Sequence, residues 1–301
     1  AVLRYRHVTL SLDRARRLAD LTVAAPAGPL PASAGALREA GSSFWALAAF
    51  RELDDVLCRL RFDEEEIGLV LLRTAGGPGG IDRLMEVDRL LAASDADWLA
   101  REIVLNMARV LRRLDLTAKS FFAIVDETSA CGGPLLELAL SADRVYMKRD
   151  AARPAWVQAG RLCGLGGDGA PYLPMSHGLS RLQARFQRDP ETAARLAAAG
   201  DRLDAAAALE AGLATFAPDE LDFDEELRVA VEERLSLSPD ALTGMEASLR
   251  FPGRETADSK IYGRLSAWQN WIFIRPNATG DHGALRLYGQ PDRPKFDWRR
   301  T

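Results

Sequence analysis

The sequence predicts an α/β protein built around a parallel sheet, on three observations. Residues 67–72 and 121–125 are short, nearly unbroken apolar runs, as expected of parallel strands covered on both faces. Between them, 97–114 reads as an amphipathic helix with Ile103, Met107, Val110, Leu111 and Leu114 on one face. Strand, helix, strand in that rhythm is the pattern of right-handed parallel crossovers. A composition of 48% hydrophobic and 27% charged residues is that of a globular chain.

Taken in order, the elements begin with a hairpin. Tyr5, His7, Thr9 and Ser11 alternate with Arg6, Val8, Leu10 and Leu12, and 18–23 repeats the habit after a polar turn at Asp13 and Arg14. Residues 26–41, rich in Ala, Gly and Pro, read as a long loop. Leu47, Phe50, Leu53, Leu57 and Leu60 then mark a helix. Gly76-Gly77-Pro78-Gly79-Gly80 reads as a connecting loop; without Walker spacing or a lysine it is a poor phosphate cradle. A helix is expected from Pro134 and a strand at 144–147. Beyond 175 the pattern is helical, over 178–187, 190–199, 203–211, 224–236 and 238–249. The tail carries Trp268, Trp271, Phe273, Tyr288, Phe296 and Trp298, which predicts an aromatic clamp. The chain thus divides into an α/β core, 1–220, and a helical C-terminal extension, 221–301, packed on the core or on a partner.

Charge and cysteine content exclude several classes. Thirty-nine basic against 43 acidic residues give a net charge of −4, which offers no cationic surface for nucleic acid. Cys58, Cys131 and Cys163 are too few and scattered for a disulfide framework or a zinc site, so no metal is expected. No apolar run approaches the ~18 residues of a membrane span. Arg4, Arg6, Asp13 and Asp20 interrupt the N-terminal apolar stretches, so no secretory signal is expected. A soluble, cytoplasmic protein is the resulting expectation. The absence of an initiator Met suggests a fragment or a processed product.

Residues 121–147 are the most informative stretch for chemistry. A buried strand runs into the small-residue turn Ser129-Ala-Cys-Gly-Gly133, and a helix opens at Pro134. Backbone N–H groups at such a turn, aided by the helix dipole, can stabilise an enolate or oxyanion; a plain strand-to-helix turn is the equal alternative.

Gly-Gly-Pro-Leu-Leu-Glu-Leu-Ala-Leu-Ser-Ala-Asp, 132–143, resembles the second oxyanion-hole motif of the crotonase (enoyl-CoA hydratase/isomerase) superfamily. Residues 68–74 resemble its first core strand, and 203–215 its Ala-rich helix ending in Gly-Leu. Longer strings resemble the second, degenerate half of the benzoyl-CoA-dihydrodiol lyases. Among them are Arg51-Glu-Leu-Asp-Asp55, Ser180-Arg-Leu-Gln-Ala-Arg-Phe186, 238–247, 263–278 and Lys295-Phe-Asp-Trp298. The resemblance implies a crotonase-like spiral of ββα units and an acyl-CoA thioester as substrate, with coenzyme A part of the substrate and no separate cofactor. The reaction it implies is hydrolytic opening of 2,3-epoxybenzoyl-CoA with loss of formate. Those lyases are about twice as long, and their first half carries the glycine-rich oxyanion motif and the catalytic glutamates.

The same alignment implies site residues and departures. Glu137 matches a catalytic acid; paired with an arginine it would be only a helix-face carboxylate. The donor glycine three residues before it is replaced by Pro134, which has no N–H, leaving Gly132 and Gly133 as candidate thioester-binding positions. The first oxyanion motif is reduced to Met85-Glu-Val-Asp88, with Met85 and Val87 as candidate donors. Of the second glutamate's segment, 163–174, only Asp168 is an acid, and a turn role is its alternative. Cys131 and His177 are pocket candidates, each with a plain structural alternative. Arg293, Lys295, Arg299 and Arg300 are candidates for coenzyme A phosphates or a solvated tail.

Three functions follow: a module of an aromatic acyl-CoA ring-cleaving lyase, a non-catalytic structural or dimerisation subunit, and an independent acyl-CoA hydratase or isomerase. The expected partners are an acyl-CoA thioester and either a homo-oligomer or a glutamate-bearing crotonase half, with neither nucleic acid nor membrane.

Overall fold

The structure, a computed structural model, describes residues 1–253 and 255–299. Its main sheet joins β1 (Val2–Arg4), β2 (Val8–Asp13), β3 (Leu18–Ala24), β4 (Leu69–Ala75), β5 (Ser120–Val125) and β7 (Arg144–Met147) in that spatial order. The first three strands are antiparallel and the last four parallel, with Leu69 beside Ser120 and Phe122 beside Arg144. A second sheet orders β6 (Cys131–Gly132), β8 (Val157–Gln158) and β9 (Arg202–Leu203). The expected hairpin and the two adjacent buried strands are present.

Period-two alternation puts the parallel strands between two cores. Val70, Leu72, Phe121, Ala123 and Val125 face a large cluster built with α2 (Trp45–Phe62), α3 (Gly77–Ala93), α4 (Trp98–Asp115) and α5 (Pro134–Leu140). Leu69, Leu71, Phe122 and Ile124 face Phe223, Leu227, Ala230, Val231 and Leu235 of α9 (Phe223–Ser236). Beyond residue 220 the first helix, α9, packs on the core and covers one face of the sheet.

Two sequence expectations change. The Ala- and Gly-rich loop at 26–41 contains α1 (Ala34–Ala40), capped by Ser33, whose hydroxyl accepts from Ala36 N–H. The glycine run at 76–80 opens α3 rather than forming a loop, with Pro78 in the first turn and Gly76 at φ 137°. Proline there gives up only an amide that has no intrahelical partner.

The remaining helices are α6 (Arg181–Arg185), α7 (Pro190–Ala199), α8 (Ala205–Glu210), α10 (Pro239–Arg250), α11 (Ala257–Ser259), α12 (Ser266–Phe273) and α13 (Pro276–Thr279). The tail is strapped back rather than free. Buried Asn277 donates to Asp240 Oδ2 and to the Asp297 carbonyl, both at 3.0 Å, and accepts from Asp297 N–H at 2.8 Å. Arg17, at the foot of β3, lies 3.8 Å over the Trp298 ring. Tyr288 takes no part in such a clamp, being 88% exposed, and Phe273 is also exposed.

Candidate active site

The turn expected to carry chemistry is built where α5 leaves the second sheet. Gly133, at φ 47°, turns the chain from β6 into α5, all seven residues of which are buried. Its N–H donates to the Gln158 carbonyl at 2.9 Å, extending the β6–β8 pairing, and Pro134 has no N–H. Gly132 sits within that pairing against α3, where an added Cβ would lie 2.8 Å from Ile81 Cγ2. Met85 and Val87 occupy the interior of α3, where each amide is committed to the carbonyl four residues back. Gly76 and Gly77 donate their N–H groups to the Thr128 carbonyl. The amides of Gly133, Met85 and Val87 are thus spent on the turn bond or the helix, and Pro134 has none to give.

Glu137 is 0% exposed and tied into an ionic chain. Its Oε2 accepts from Arg181 Nη1 at 3.1 Å, and Arg181 Nη2 donates to Asp115 Oδ2 at 2.6 Å, all three side chains being buried. Among the described residues, Glu137 Oε1 and Arg181 Nε have no hydrogen-bond partner. Burial pushes the Glu137 carboxyl up to about 7, against the opposing pull of Arg181. The Cys163 thiol also touches this carboxyl, and its Sγ lies 3.6 Å from the Gly133 carbonyl oxygen. Burial first, then the charges of Glu137 and Asp88, raise the Cys163 thiol far above its ordinary range.

Asp88, from the inner face of α3, closes the other side of this turn. Its Oδ2 accepts from Arg161 N–H at 2.6 Å and its Oδ1 from Leu162 N–H at 3.1 Å. A Cβ added at Gly160 would fall 2.2 Å from Oδ1, so the carboxylate occupies the space of a side chain at 160. Burial holds Asp88 up at about 6, with the two backbone donors pulling it down.

The other candidates lie elsewhere. Asp168 is exposed in a turn spanning Gly166 to Ala170, where its Oδ1 accepts from Ala170 N–H at 2.9 Å. Cys131 is a core thiol, pushed up to about 12 by burial. His177 is an exposed ring set edge-on to Phe251, 5.9 Å between centroids. Arg293, Lys295 and Arg299 lie on the exposed tail, where Arg299 pairs with Asp297, and Arg300 lies outside the described residues.

The spiral of strands and helices has many structural relatives. The enoyl-CoA hydratase of Geobacillus kaustophilus HTA426 superposes with a TM-score of 0.68 at 15% identity, covering 99% of each chain. An enoyl-CoA hydratase/isomerase from Marinobacter aquaeolei gives 0.64 at 18% identity, covering 98% of this chain and 99% of that one. The chain has the crotonase fold. No family model matches it. In sequence this crotonase-fold chain is similar to the benzoyl-CoA-dihydrodiol lyase of Aromatoleum evansii, 43% identical over 298 residues. That similarity covers 99% of this chain and 52% of the relative, so the chain spans about half the length of the curated relative it matches.

The sequence reading missed Asp115, Arg181, Cys163 and Gly160, and took Asp88 only as the end of a reduced motif. One signal was available for Asp88. It stands on the Ile81, Leu84, Leu91 stripe of α3, where an acid facing the core requires buried donors.

Proposed function

We propose that the chain is a crotonase-fold module of an aromatic acyl-CoA ring-cleaving lyase, of the type that opens 2,3-epoxybenzoyl-CoA. In this reading a second, glutamate-bearing crotonase half supplies the thioester cradle and the acid/base pair. The identity to the lyase over nearly the whole chain, at about half its length, supports the assignment. The observation that carries the division of labour is the sealed turn: Gly133 spends its N–H on Gln158 while Arg181 holds Glu137. That ionic lock also favours the second reading, a structural or dimerisation subunit. An independent hydratase or isomerase is less well supported, since Asp168 sits in an exposed turn while Glu137 is buried.

The test is an assay of the purified chain with 2,3-epoxybenzoyl-CoA and with crotonyl-CoA, alone and mixed with a glutamate-bearing half. The expected result is turnover of the epoxide only in the mixture. A partner half equally active without this chain would favour the structural reading. Robust turnover by the chain alone, abolished by Glu137→Gln, would refute the division of labour.

A further inference from the structure

A cavity of about 520 Å³ opens at the end of the molecule where β7 begins, between α6 and the helices α9 and α10. Arginines dominate its polar lining: Arg144, Arg181, Arg185, Arg234 and Arg250. Three of them are neutralised inside the fold. Arg181 is shared by Asp115 and Glu137. Arg234 pairs with Glu246 at 2.7 Å, and Arg250 pairs with Asp143 at 2.7 Å while also capping the carbonyls of Thr117 and Lys119.

Arg144 and Arg185 are different. Neither meets a carboxylate among the described residues. Arg144 Nη1 donates to the Tyr146 hydroxyl at 3.2 Å, and its guanidinium lies over the rings of Phe122 and Phe216, 5.4 and 5.8 Å from their centroids. Aromatic faces orient a guanidinium without cancelling its charge. Arg185 gives its Nε–H to the Gly212 carbonyl. Both guanidinium groups therefore stand at the wall of one cavity without a carboxylate partner among the described residues, Arg144 half-buried and Arg185 exposed. Met175, Met245 and Leu249 supply apolar wall, and methionine adapts to irregular guests.

We propose that this cavity binds a small organic anion, a carboxylate or phosphate carried on an apolar body, with Arg144 and Arg185 holding the charged end. The guanidinium fork matches both oxyanions, and the cavity lies within the range of small-molecule sites, roughly 300–1,000 Å³. The site adjoins the Gly133 turn through Arg181, which lines the cavity and also holds Glu137, and the proposal does not depend on the ring-cleaving assignment.

Calorimetric titration of the chain with benzoate and with phenyl phosphate tests it, with benzamide as the neutral control and inorganic phosphate as the anion without a body. At least one of the two aromatic anions is expected to bind at least ~10-fold more tightly than benzamide, a ratio worth about 1.4 kcal/mol. The preferred anion identifies carboxylate or phosphate as the recognised group. Inorganic phosphate is expected to bind more weakly than the preferred aromatic anion, for want of apolar contact.

The double variant Arg144→Gln/Arg185→Gln is expected to weaken the preferred anion by at least ~10-fold and leave benzamide unchanged. Leu249→Glu offers an independent check. Leu249 lines the cavity yet is 68% exposed, so the fold tolerates the change, verified by circular dichroism, while the added carboxylate repels the ligand. The proposal is overturned if neither aromatic anion binds, if benzamide or inorganic phosphate binds as well as the preferred anion, or if Leu249→Glu binds it undiminished.

Discussion

The carboxylate of Asp88 stands where a side chain at Gly160 would have to go: an added Cβ would approach its Oδ1, Cγ and Oδ2 to 2.2, 2.4 and 2.7 Å. An acid from α3 thus fills the turn from the side and caps the amides of Arg161 and Leu162. Only a residue without a side chain at 160 is compatible with it, so each of the two positions dictates the other.

Gly160→Ala is expected to destabilise the fold by about 1–3 kcal/mol, as overpacking does in a filled core. Asp88→Ala should cost a similar ~1–3 kcal/mol by leaving buried amides unsatisfied. Because removing Asp88 also removes the clash, the double variant should be more stable than the sum of the singles predicts, by about 1 kcal/mol. Urea denaturation of the four proteins measures this coupling. Strict additivity would show that the two positions do not share one space.

Arg181 is the hinge of the ionic chain between Asp115 and Glu137. Arg181→Met leaves two carboxylates buried without their cation and should cost about 3–5 kcal/mol. Replacing all three members with apolar residues of similar volume should recover most of that loss, since paired burial of charge adds little net stability. Chemical denaturation midpoints, with equal slopes, provide the comparison.

The sheet was legible from the sequence because residues 67–72 and 121–125 must be covered on both faces, a demand that fixes residue type at every position. The helix over residues 97–114 was legible from its period. Glycine-rich starts hid α1 and the first turn of α3, since small residues give no amphipathic signal. The candidate site was half visible. Glu137 and the Gly133 turn announced themselves by local spacing, whereas Arg181 lies 44 residues from Glu137 and 66 from Asp115. Pairing across such distances depends on tertiary placement, which periodicity does not encode.

Stability should fall with rising pH in a window set by Glu137. Its folded value, raised to about 7 from an ordinary 4.5, makes the native state hold a proton that the unfolded chain has released. Between those values the unfolded state binds fewer protons, so the stabilising contribution, full below about 4.5, is lost as pH rises through about 7. Asp88, raised to about 6 from 3.8, acts in the same direction slightly lower on the scale. Glu137→Gln should therefore gain stability relative to the wild type as pH increases across the window. A stability difference independent of pH between 4.5 and 7 would contradict the assignment.

Asn277 buckles the tail to the rest of the chain through Asp240 and Asp297. Asn277→Ala should lower stability by about 1–3 kcal/mol by stranding buried polar groups, and should expose the segment carrying Trp298 to proteolysis. Unchanged melting and unchanged cleavage of that tail would show that the strap holds nothing.

Restoring one donor should not restore chemistry. Pro134→Gly returns an N–H at the position where the crotonase pattern has its donor glycine, so a site lacking only that amide would respond. Here α3 presses Ile81 against Gly132, Asp88 fills the turn beside Gly133 and Gly160, and Glu137 is held by Arg181. Water addition to an alkene needs two positioned acid/base groups and an oxyanion hole, each contributing roughly 10²-fold or more. One recovered donor leaves the acid pair unformed, with Glu137 still held by Arg181. Hydration of crotonyl-CoA by Pro134→Gly, followed by loss of the enoyl absorbance, should remain within a few-fold of the unsubstituted chain, at least ~10⁴ below a complete site. A gain of two orders of magnitude, abolished by Glu137→Gln, would show instead that the missing amide alone had silenced an otherwise assembled active site.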